Sequence, residues 1–150
     1  MTGTTEPAFL DVNEAAVIKL FSEGITGEIT MLNLLRFRET ADYSGFPDIA
    51  PEIPITGRQA YQCYIEHTLP FLTASGGRLD YLGDGYDYLV GPPDTGWDMA
   101  MLVVQKSLED FIAFSTNEGY LAGIGHRTAA LRDSRILPLI EQTTTDPRSS

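Results

Sequence analysis

Two histidines, His67 and His126, carry the side chains best suited to proton transfer near neutral pH. His126 stands beside Arg127 in the segment GIGHRTAAL, where most neighbouring side chains are small. This predicts His126 as a candidate for moving a proton and Arg127 as a candidate for binding a negatively charged group. His67 lies off the apolar face of its predicted helix, which favours a structural role.

The surroundings of His126 depend on a helix predicted over residues 117–132. Four side chains at helical spacing form its expected core stripe: Leu121, Ile124, Thr128 and Leu131. His126 then lies on roughly the opposite side. That side is either exposed, or its small residues allow a partner segment or a ligand to approach closely. The pattern slightly favours a surface or interface histidine over a proton-transferring one.

Asn33 and Arg36 interrupt an otherwise apolar strand predicted over residues 28–37. Alternation places their side chains on opposite faces, so a single cavity cannot contain both without a bulge. Asn33 is the better cavity candidate, since its amide can orient a carbonyl or an oxyanion. The strand predicted from residue 97 should run antiparallel to this one and bring Asp98 near Arg36. We expect a structural ion pair there first and a clamp for a substrate carboxylate second.

Aromatic side chains are numerous enough to line a pocket for a planar ligand. They are Tyr61, Tyr64, Tyr81, Tyr86, Tyr88, Trp97 and Tyr120. Packing in the core is the alternative, and there the tyrosine hydroxyls also need partners. The predicted substrate-binding set combines four of them with the charged pair: Arg36, Tyr61, Tyr64, Trp97, Asp98 and Tyr120.

The motifs of several common cofactors are absent from the sequence. It has no glycine-rich phosphate loop between a strand and a helix, and the short GDG segment at 83–85 is typical of a bend. Two histidines at unrelated positions make no zinc motif, and nothing supports an axial haem ligand. Cys63 falls on the polar side of its helix with no base nearby in sequence, so a nucleophilic role is not expected. We therefore predict no metal and no organic cofactor.

Length and charge limit the class of protein. The 150 residues fit one domain, and 43% hydrophobic residues are enough for a single core. We expect a loose segment at residues 1–12, one domain at 13–142 and a disordered tail at 143–150. The net charge of −11 disfavours nucleic-acid and membrane partners. With one cysteine and no signal-peptide pattern, a cytoplasmic location is the default expectation.

The chain predicts an alternating order of helices and strands. Helices are expected over residues 13–21, from Thr56 to the glycines at 76–77, over 107–115 and over 117–132; strands over 28–37, 78–90, 97–105 and 135–140. Pro70 should kink the second helix, and Pro138 argues for an edge strand. The long connection at residues 38–55 is typical of a lid or a dimer arm.

This order is the ferredoxin-like βαββαβ pattern, an α+β antiparallel sheet with helices on one face. Because residues 28–37 are apolar on both faces, the other face of the sheet also needs a cover. A second copy of the same sheet is the natural partner, so we predict a homodimer with an enclosed cavity in each subunit.

Four blocks resemble one known family: MLNLLRF at 31–37, SGGRLDYLG at 75–83, WDMAMLV at 97–103 and GYLAGIGHRTAALRDSRILP at 119–138. The chain resembles the domain-of-unknown-function family thirteen-thirty of the dimeric α/β-barrel superfamily over roughly residues 28–140. The resemblance implies the fold, the dimer and a small-molecule cavity, but no reaction. Superfamily relatives include cofactor-free monooxygenases, isomerases, cyclases and haem-binding enzymes, and fold alone does not choose among them.

Two functions remain open. The first is an enzyme of isomerase, cyclase or monooxygenase type, without metal or organic cofactor, acting on an aromatic or polyketide-like metabolite. In it Asn33 orients the substrate, His126 moves a proton, and Arg127 or Arg36 binds a negative group. The second is a dimeric protein that binds a small hydrophobic metabolite without catalysis.

Overall fold

The computed structural model describes residues 8–142 of the chain, so the predicted tail at 143–150 lies outside the described residues. The elements of this part are, in chain order, α1 (Glu14–Ser22), β1 (Ile29–Phe37), a 3-10 turn (Pro47–Ile49), α2 (Gly57–Ala74), β2 (Arg78–Asp84), β3 (Met99–Gln105), α3 (Leu108–Ser115), α4 (Glu118–Leu121), α5 (Ile124–Ala130) and β4 (Leu131–Leu139). The predicted α+β class is confirmed.

The four strands form one antiparallel sheet in the order β2-β3-β1-β4. This is the strand order of a ferredoxin-like sheet, as the sequence predicts. Pro138 lies in β4, which is an edge strand, as predicted. Proline is tolerated there because the N–H group that it lacks would be needed for pairing on both sides of a central strand.

The central strand β1 divides the sheet into a covered and an open face. Its odd-numbered side chains, from Ile29 to Phe37, are buried beneath the helices, where Leu35 and Phe37 join the core with Tyr61 of α2. Its even-numbered side chains are only half-buried. The members of that face include Leu32, Leu34, Leu102, Leu137 and Leu139, which are half-buried or exposed.

Polar side chains cap the starts of α1, α2 and α3. The Asn13 side chain accepts a hydrogen bond from the Ala16 N–H at the start of α1. Thr56 and Gln59 form a reciprocal capping box at the start of α2, and Ser107 accepts from the Asp110 N–H at α3. Each cap satisfies N–H groups that a helix start leaves without partners.

The strand predicted over residues 78–90 ends at Asp84. Gly85 makes the last backbone bond of this ladder, its N–H donating to Asp98 O at 2.9 Å, and residues 85–98 form a loop. Leu89 and Val90 of this loop are almost fully exposed. Strand-favouring side chains alone do not extend a strand where no neighbouring backbone is available to pair.

The helix predicted over 117–132 is two short helices, α4 and α5, and the last strand begins at Leu131 rather than Arg135. Pairing with β1 decides the boundary, because Leu131 lies opposite Phe37 and Asp133 lies opposite Arg36. Long-range strand pairing therefore overrides the local helical pattern of residues 131–132.

Two residues near the start of the described chain contact the edge strand β4 and the core. The Phe9 N–H donates to Asp133 Oδ1 at 2.9 Å, and the Ser134 N–H donates to Phe9 O at 3.0 Å. Leu10 packs against the core. Phe9 and Leu10, which we call the N-terminal strap, thus lie along the edge strand β4.

The backbones of three segments meet at Gly57. The Arg38 N–H donates to Ala130 O at 2.8 Å, and the Gly57 N–H donates to Arg38 O at 3.1 Å. A Cβ on Gly57 would overlap Arg38 O and lie 2.6 Å from Ala130 O. Only glycine fits here, and this junction fixes the base of the 38–55 loop between α2 and α5.

We predict that Gly57→Ala lowers the free energy of unfolding by about 3 kcal/mol, because the added methyl group meets backbone atoms that cannot rotate away. Urea denaturation followed by circular dichroism measures the change. Gly45→Ala is the matched control, since a Cβ there has no neighbour within 4 Å. Equal loss in both variants would refute the junction.

Candidate functional site

His126 makes a specific contact with the long loop. Its Nδ1 shares a hydrogen bond of 2.7 Å with the Tyr43 hydroxyl, and the two rings meet edge to face. Tyr43 belongs to residues 38–55, so the loop supplies the partner of the histidine. The sequence alone did not predict Tyr43, and the only signal was the unusual length of its loop.

The helix α5 presents a different face to the core than predicted. Leu121 and Thr128 are exposed, whereas Gly125, Ala129 and Ala130 are buried. The predicted core stripe is wrong at Leu121 and Thr128, because the side with the smallest side chains turns inward. It is right at Leu131, which lies in the core, and at Ile124, which packs against it. Short side chains let the backbone of a helix approach its neighbours closely.

The close approach that the small residues predicted is confirmed, and the partner is another segment of the chain. A Cβ on Gly125 would lie 2.6 Å from Phe46 Cγ of the long loop, and one on Gly123 would overlap the ring of His67. His67 donates from Nε2 to Gly119 O at 2.7 Å, in agreement with its predicted structural role.

The electrostatics favour a neutral His126 at pH 7. Burial, reinforced by the nearby His67, lowers the pKa of His126, and burial together with Cys63 raises the pKa of Tyr43. The Nε2 atom of His126 has no hydrogen-bond partner in residues 8–142. When Nδ1 carries the proton and donates it to the Tyr43 oxygen, Nε2 of the neutral imidazole can accept a proton; in the other tautomer Tyr43 donates to Nδ1 and Nε2–H can donate one.

Arg127 points away from His126 into the interior. It donates from Nη1 to Leu10 O at 2.8 Å and from Nη2 to Ser134 Oγ at 3.3 Å, and it lies close to the Tyr61 side chain. His126 and Arg127 are thus adjacent in α5, but their side chains lie in different surroundings: His126 contacts the long loop, and Arg127 contacts Leu10 and Ser134.

The predicted tyrosine set packs as core. The Tyr64 and Tyr120 hydroxyls share a hydrogen bond of 2.8 Å, and the ring of Tyr61 stands 5.1 Å from that of Tyr64. Burial is the main cause that raises the pKa values of Tyr61 and Tyr120. The Tyr64 and Tyr120 hydroxyls therefore satisfy each other. All three tyrosines belong to the core, which was the alternative to lining a pocket.

Asn33 is buried on the helix face of β1, as alternation predicts, between Met101 and Ile136 of the flanking strands. Its Nδ2 donates to Met31 O at 3.1 Å. No hydrogen bond joins it to His126 or Arg127, so the structure does not bring the predicted catalytic set into one contact.

The predicted ion pair between Arg36 and Asp98 is wrong. Arg36 Nη1 bonds Asp133 Oδ2 at 2.9 Å, because Asp133 lies directly opposite it on β4. Asp98 instead accepts the Phe37 N–H at 2.8 Å. Arg36 also donates to carbonyls of the 85–98 loop and lies 3.8 Å from the ring centroid of Trp97.

A cleft of about 550 Å³ opens beside Trp97 at the end of the sheet. Its wall consists of Gly85, Tyr86, Asp87, Asp94, Gly96, Trp97, Asp98 and Arg132. Trp97 and Asp98 were in the predicted binding set. Arg132 was missed because its segment reads as helix, and it makes no ion pair within residues 8–142.

Neither a metal cluster nor a membrane span is found in the described part of the chain. Residues 8–142 contain no group of three or more histidine, cysteine, aspartate or glutamate side chains placed to hold a metal ion. None of the helices within them is long and apolar enough to cross a bilayer.

Comparison with known proteins finds solved structures that resemble this chain but no activity. No protein-family model matches the chain, and no curated protein matches it at a significant level, so the family resemblance stays a prediction. The chain is similar to the RPA0582 protein of Rhodopseudomonas palustris, a protein of unknown function (28% identity, 91% of this chain and 99% of that chain, TM-score 0.79). It is also similar to methylated RPA0582 protein (27% identity, 93% of this chain and 98% of that chain, TM-score 0.80). A dabb family protein with a ferredoxin-like fold from Mesorhizobium loti aligns with a TM-score of 0.45 (8% identity, 77% of this chain and 98% of that chain).

We predict that Asp133→Asn lowers the free energy of unfolding at pH 7 by about 3 kcal/mol, since it leaves Arg36 without its carboxylate. Burial tends to raise the pKa of Asp133, but hydrogen bonds, first from Phe9 and then from Arg135, outweigh burial and lower the pKa. A lowered pKa means stability that is present above the unfolded value of about 3.9 and is lost as the pH falls through the folded value.

Urea denaturation between about pH 7 and pH 2 tests this, and the variant should lose less stability than the native chain on the acid side. Asp80→Asn is the control, because Asp80 forms only an exposed ion pair with Arg78 and should change stability by less than about 1 kcal/mol. An equal effect of the two substitutions would contradict the prediction.

Proposed function

We propose that the protein is an enzyme that moves protons on a small molecule without a metal or organic cofactor, with His126 as its acid–base group. The observation that carries this is the 2.7 Å bond between Tyr43 and His126 Nδ1, which leaves Nε2 without a partner in residues 8–142. A base oriented by a second group is the usual arrangement in such sites.

The reaction class follows from what a neutral imidazole can do. It removes a proton from a carbon next to a carbonyl and returns it elsewhere, which is an isomerisation or the first step of a cyclisation. The rings of Tyr43 and Phe46 next to α5 favour a planar, aromatic or polyketide-like substrate. Asn33 and Arg36, both engaged within the fold, are not assigned a role in this proposal.

The working form in this proposal is a homodimer joined through the open sheet face. That face is lined by the half-buried or exposed side chains of Leu32, Leu34, Leu102, Leu137 and Leu139. An apolar sheet face of this kind needs a cover, and a second copy provides a matching one by two-fold symmetry.

A second candidate function is binding without catalysis, and the cleft beside Trp97 favours it. The cleft combines the rings of Tyr86 and Trp97 with the Arg132 guanidinium and the carboxylates of Asp87, Asp94 and Asp98. A pocket with an aromatic surface and a few polar groups suits a small metabolite. In the proposed dimer the second subunit would cover the adjoining sheet face and make this cleft more enclosed.

We predict that His126→Gln abolishes turnover, whereas Tyr43→Phe reduces it by about ten- to a hundredfold because the ring loses its orienting bond. In the native chain the acid limb of the pH–rate profile should lie below about pH 6.5, since the pKa of His126 is lowered. The base is lost as the pH falls through that value. NMR titration of the His126 ring measures the same pKa without a substrate.

Incubation with a metabolite extract, followed by mass spectrometry of bound and altered species, separates the two functions. Species altered by the native chain but not by His126→Gln support the enzyme. Species bound but unaltered by both chains, with binding lost in Arg132→Gln, support the binding protein. His67→Gln is the matched histidine control and should alter the same species as the native chain.

We predict that the native chain is a dimer by light scattering at micromolar concentration and that Leu137→Lys makes it monomeric, because a charge is then buried in the interface. Ile18→Lys is the control, since Ile18 is at least as exposed as Leu137 and belongs to α1 rather than to a strand of the sheet. A monomeric native chain would refute the dimer.

A further inference from the structure

The Arg127 guanidinium is buried without a carboxylate partner in residues 8–142. Only 9% of the residue is exposed. Its neighbours are the Leu10 carbonyl and the Ser134 hydroxyl, which accept its hydrogen bonds, and the Tyr61 side chain. All three are neutral, so the positive charge has hydrogen bonds but no opposite charge. A buried ion in this state is costly unless an anion joins it.

The missing anion is not explained by a shortage of acidic residues. The chain has 21 of them against 10 basic ones, and the nearby Arg36 is paired with Asp133. Asp133 already accepts from Arg36, Arg135 and two backbone N–H groups. Its oxygens are therefore committed, and Arg127 retains donors of its five N–H groups for another acceptor.

The N-terminal strap occupies the place next to Arg127. The Leu10 carbonyl accepts from Nη1 at 2.8 Å, and the Leu10 side chain packs against the core. At this point the strap presents an oxygen acceptor joined to a short branched apolar group. A short apolar carboxylate has the same two parts, an oxygen acceptor and an apolar group. The difference is that its oxygen is charged, whereas the Leu10 carbonyl oxygen is neutral.

The strap is held mainly at Phe9. Ser134 donates to Phe9 O from both its N–H and its Oγ, and the Arg135 guanidinium lies 4.8 Å from the Phe9 ring centroid. Phe9 is 51% exposed, and the strap pairs with an edge strand only. Such peripheral segments open at a small fraction of the free energy of global unfolding.

We propose that Arg127 and Ser134 form a binding site for a small apolar monocarboxylate. The N-terminal strap covers this site when it is empty. When the strap opens, the carboxylate of the ligand takes the place of the Leu10 carbonyl. Two parallel bonds from Arg127 to the carboxylate would supply the charge that the buried guanidinium lacks. The site goes beyond the proposed proton transfer, because Arg127 and His126 contact different parts of the chain.

Isocaproate is the probe, since it carries the branched side chain of leucine on a carboxylate, and isocaproamide is its neutral counterpart. Phe9→Ala in the full chain removes the ring that lies on Arg135 and keeps the backbone bonds of Phe9, so it loosens the strap without touching Arg127. The matched control is Val12→Ala, an exposed residue of the same segment with no side-chain hydrogen bond. Titration calorimetry gives the affinities, and NMR of the arginine Nε–H signals locates the site.

Phe9→Ala should bind isocaproate about tenfold more tightly than the native chain, because apparent affinity rises with the open fraction. Val12→Ala should match the native chain, isocaproamide should not bind, and the Arg127 signal should shift. His126→Gln should retain the binding, so failure of the proposed catalysis leaves this result intact. The proposal is overturned if isocaproate binds neither the native chain nor Phe9→Ala, or if Phe9→Ala gives no gain in affinity. It is also overturned if isocaproamide binds as tightly as isocaproate, or if only the Arg36 or Arg135 signal shifts.

Discussion

The carboxylate of Asp133 is the interaction on which the end of the sheet depends. It bonds Arg36 across the β1–β4 ladder, Arg135 along its own strand and the Phe9 N–H of the strap. Arg36 in turn donates to carbonyls of the 85–98 loop and stacks on Trp97. One buried acid therefore fixes the edge strand, the strap and a wall of the cleft together.

Close backbone packing is the second constraint, and it sets the position of the long loop. Gly57 allows the loop base to meet α2 and α5, and Gly125 allows Phe46 to lie against α5. The loop thereby places the Tyr43 hydroxyl at His126. A larger side chain at either glycine would move the loop and with it the partner of the histidine.

The distribution of charge explains why the candidate sites lie where they do. The chain is strongly acidic overall, yet Arg36, Arg132 and Arg135 gather at the end of the sheet near Trp97, and Arg127 is buried behind them. Carboxylates balance these cations, because Asp133 bonds Arg36 and Arg135, and Asp87, Asp94 and Asp98 line the cleft beside Arg132. Both signs of charge therefore meet at this end of the molecule. The open sheet face adjoins it and is apolar, which is why the proposed dimer and the cleft are related.

Local patterns in the sequence determined the caps at Asn13, Thr56 and Ser107, the alternation of β1 and the edge position of Pro138, because each depends on neighbouring residues or on strand periodicity. The α+β class and the strand order followed from the order of these elements. Only the tertiary structure decided the partners of Arg36, Asp98, His126 and Arg127. Strand register placed Asp133 rather than Asp98 opposite Arg36, and the small residues of α5 turned inward and left Tyr43 beside His126. Contacts of this kind join residues far apart in the chain, so their energies appear only when the backbones have packed.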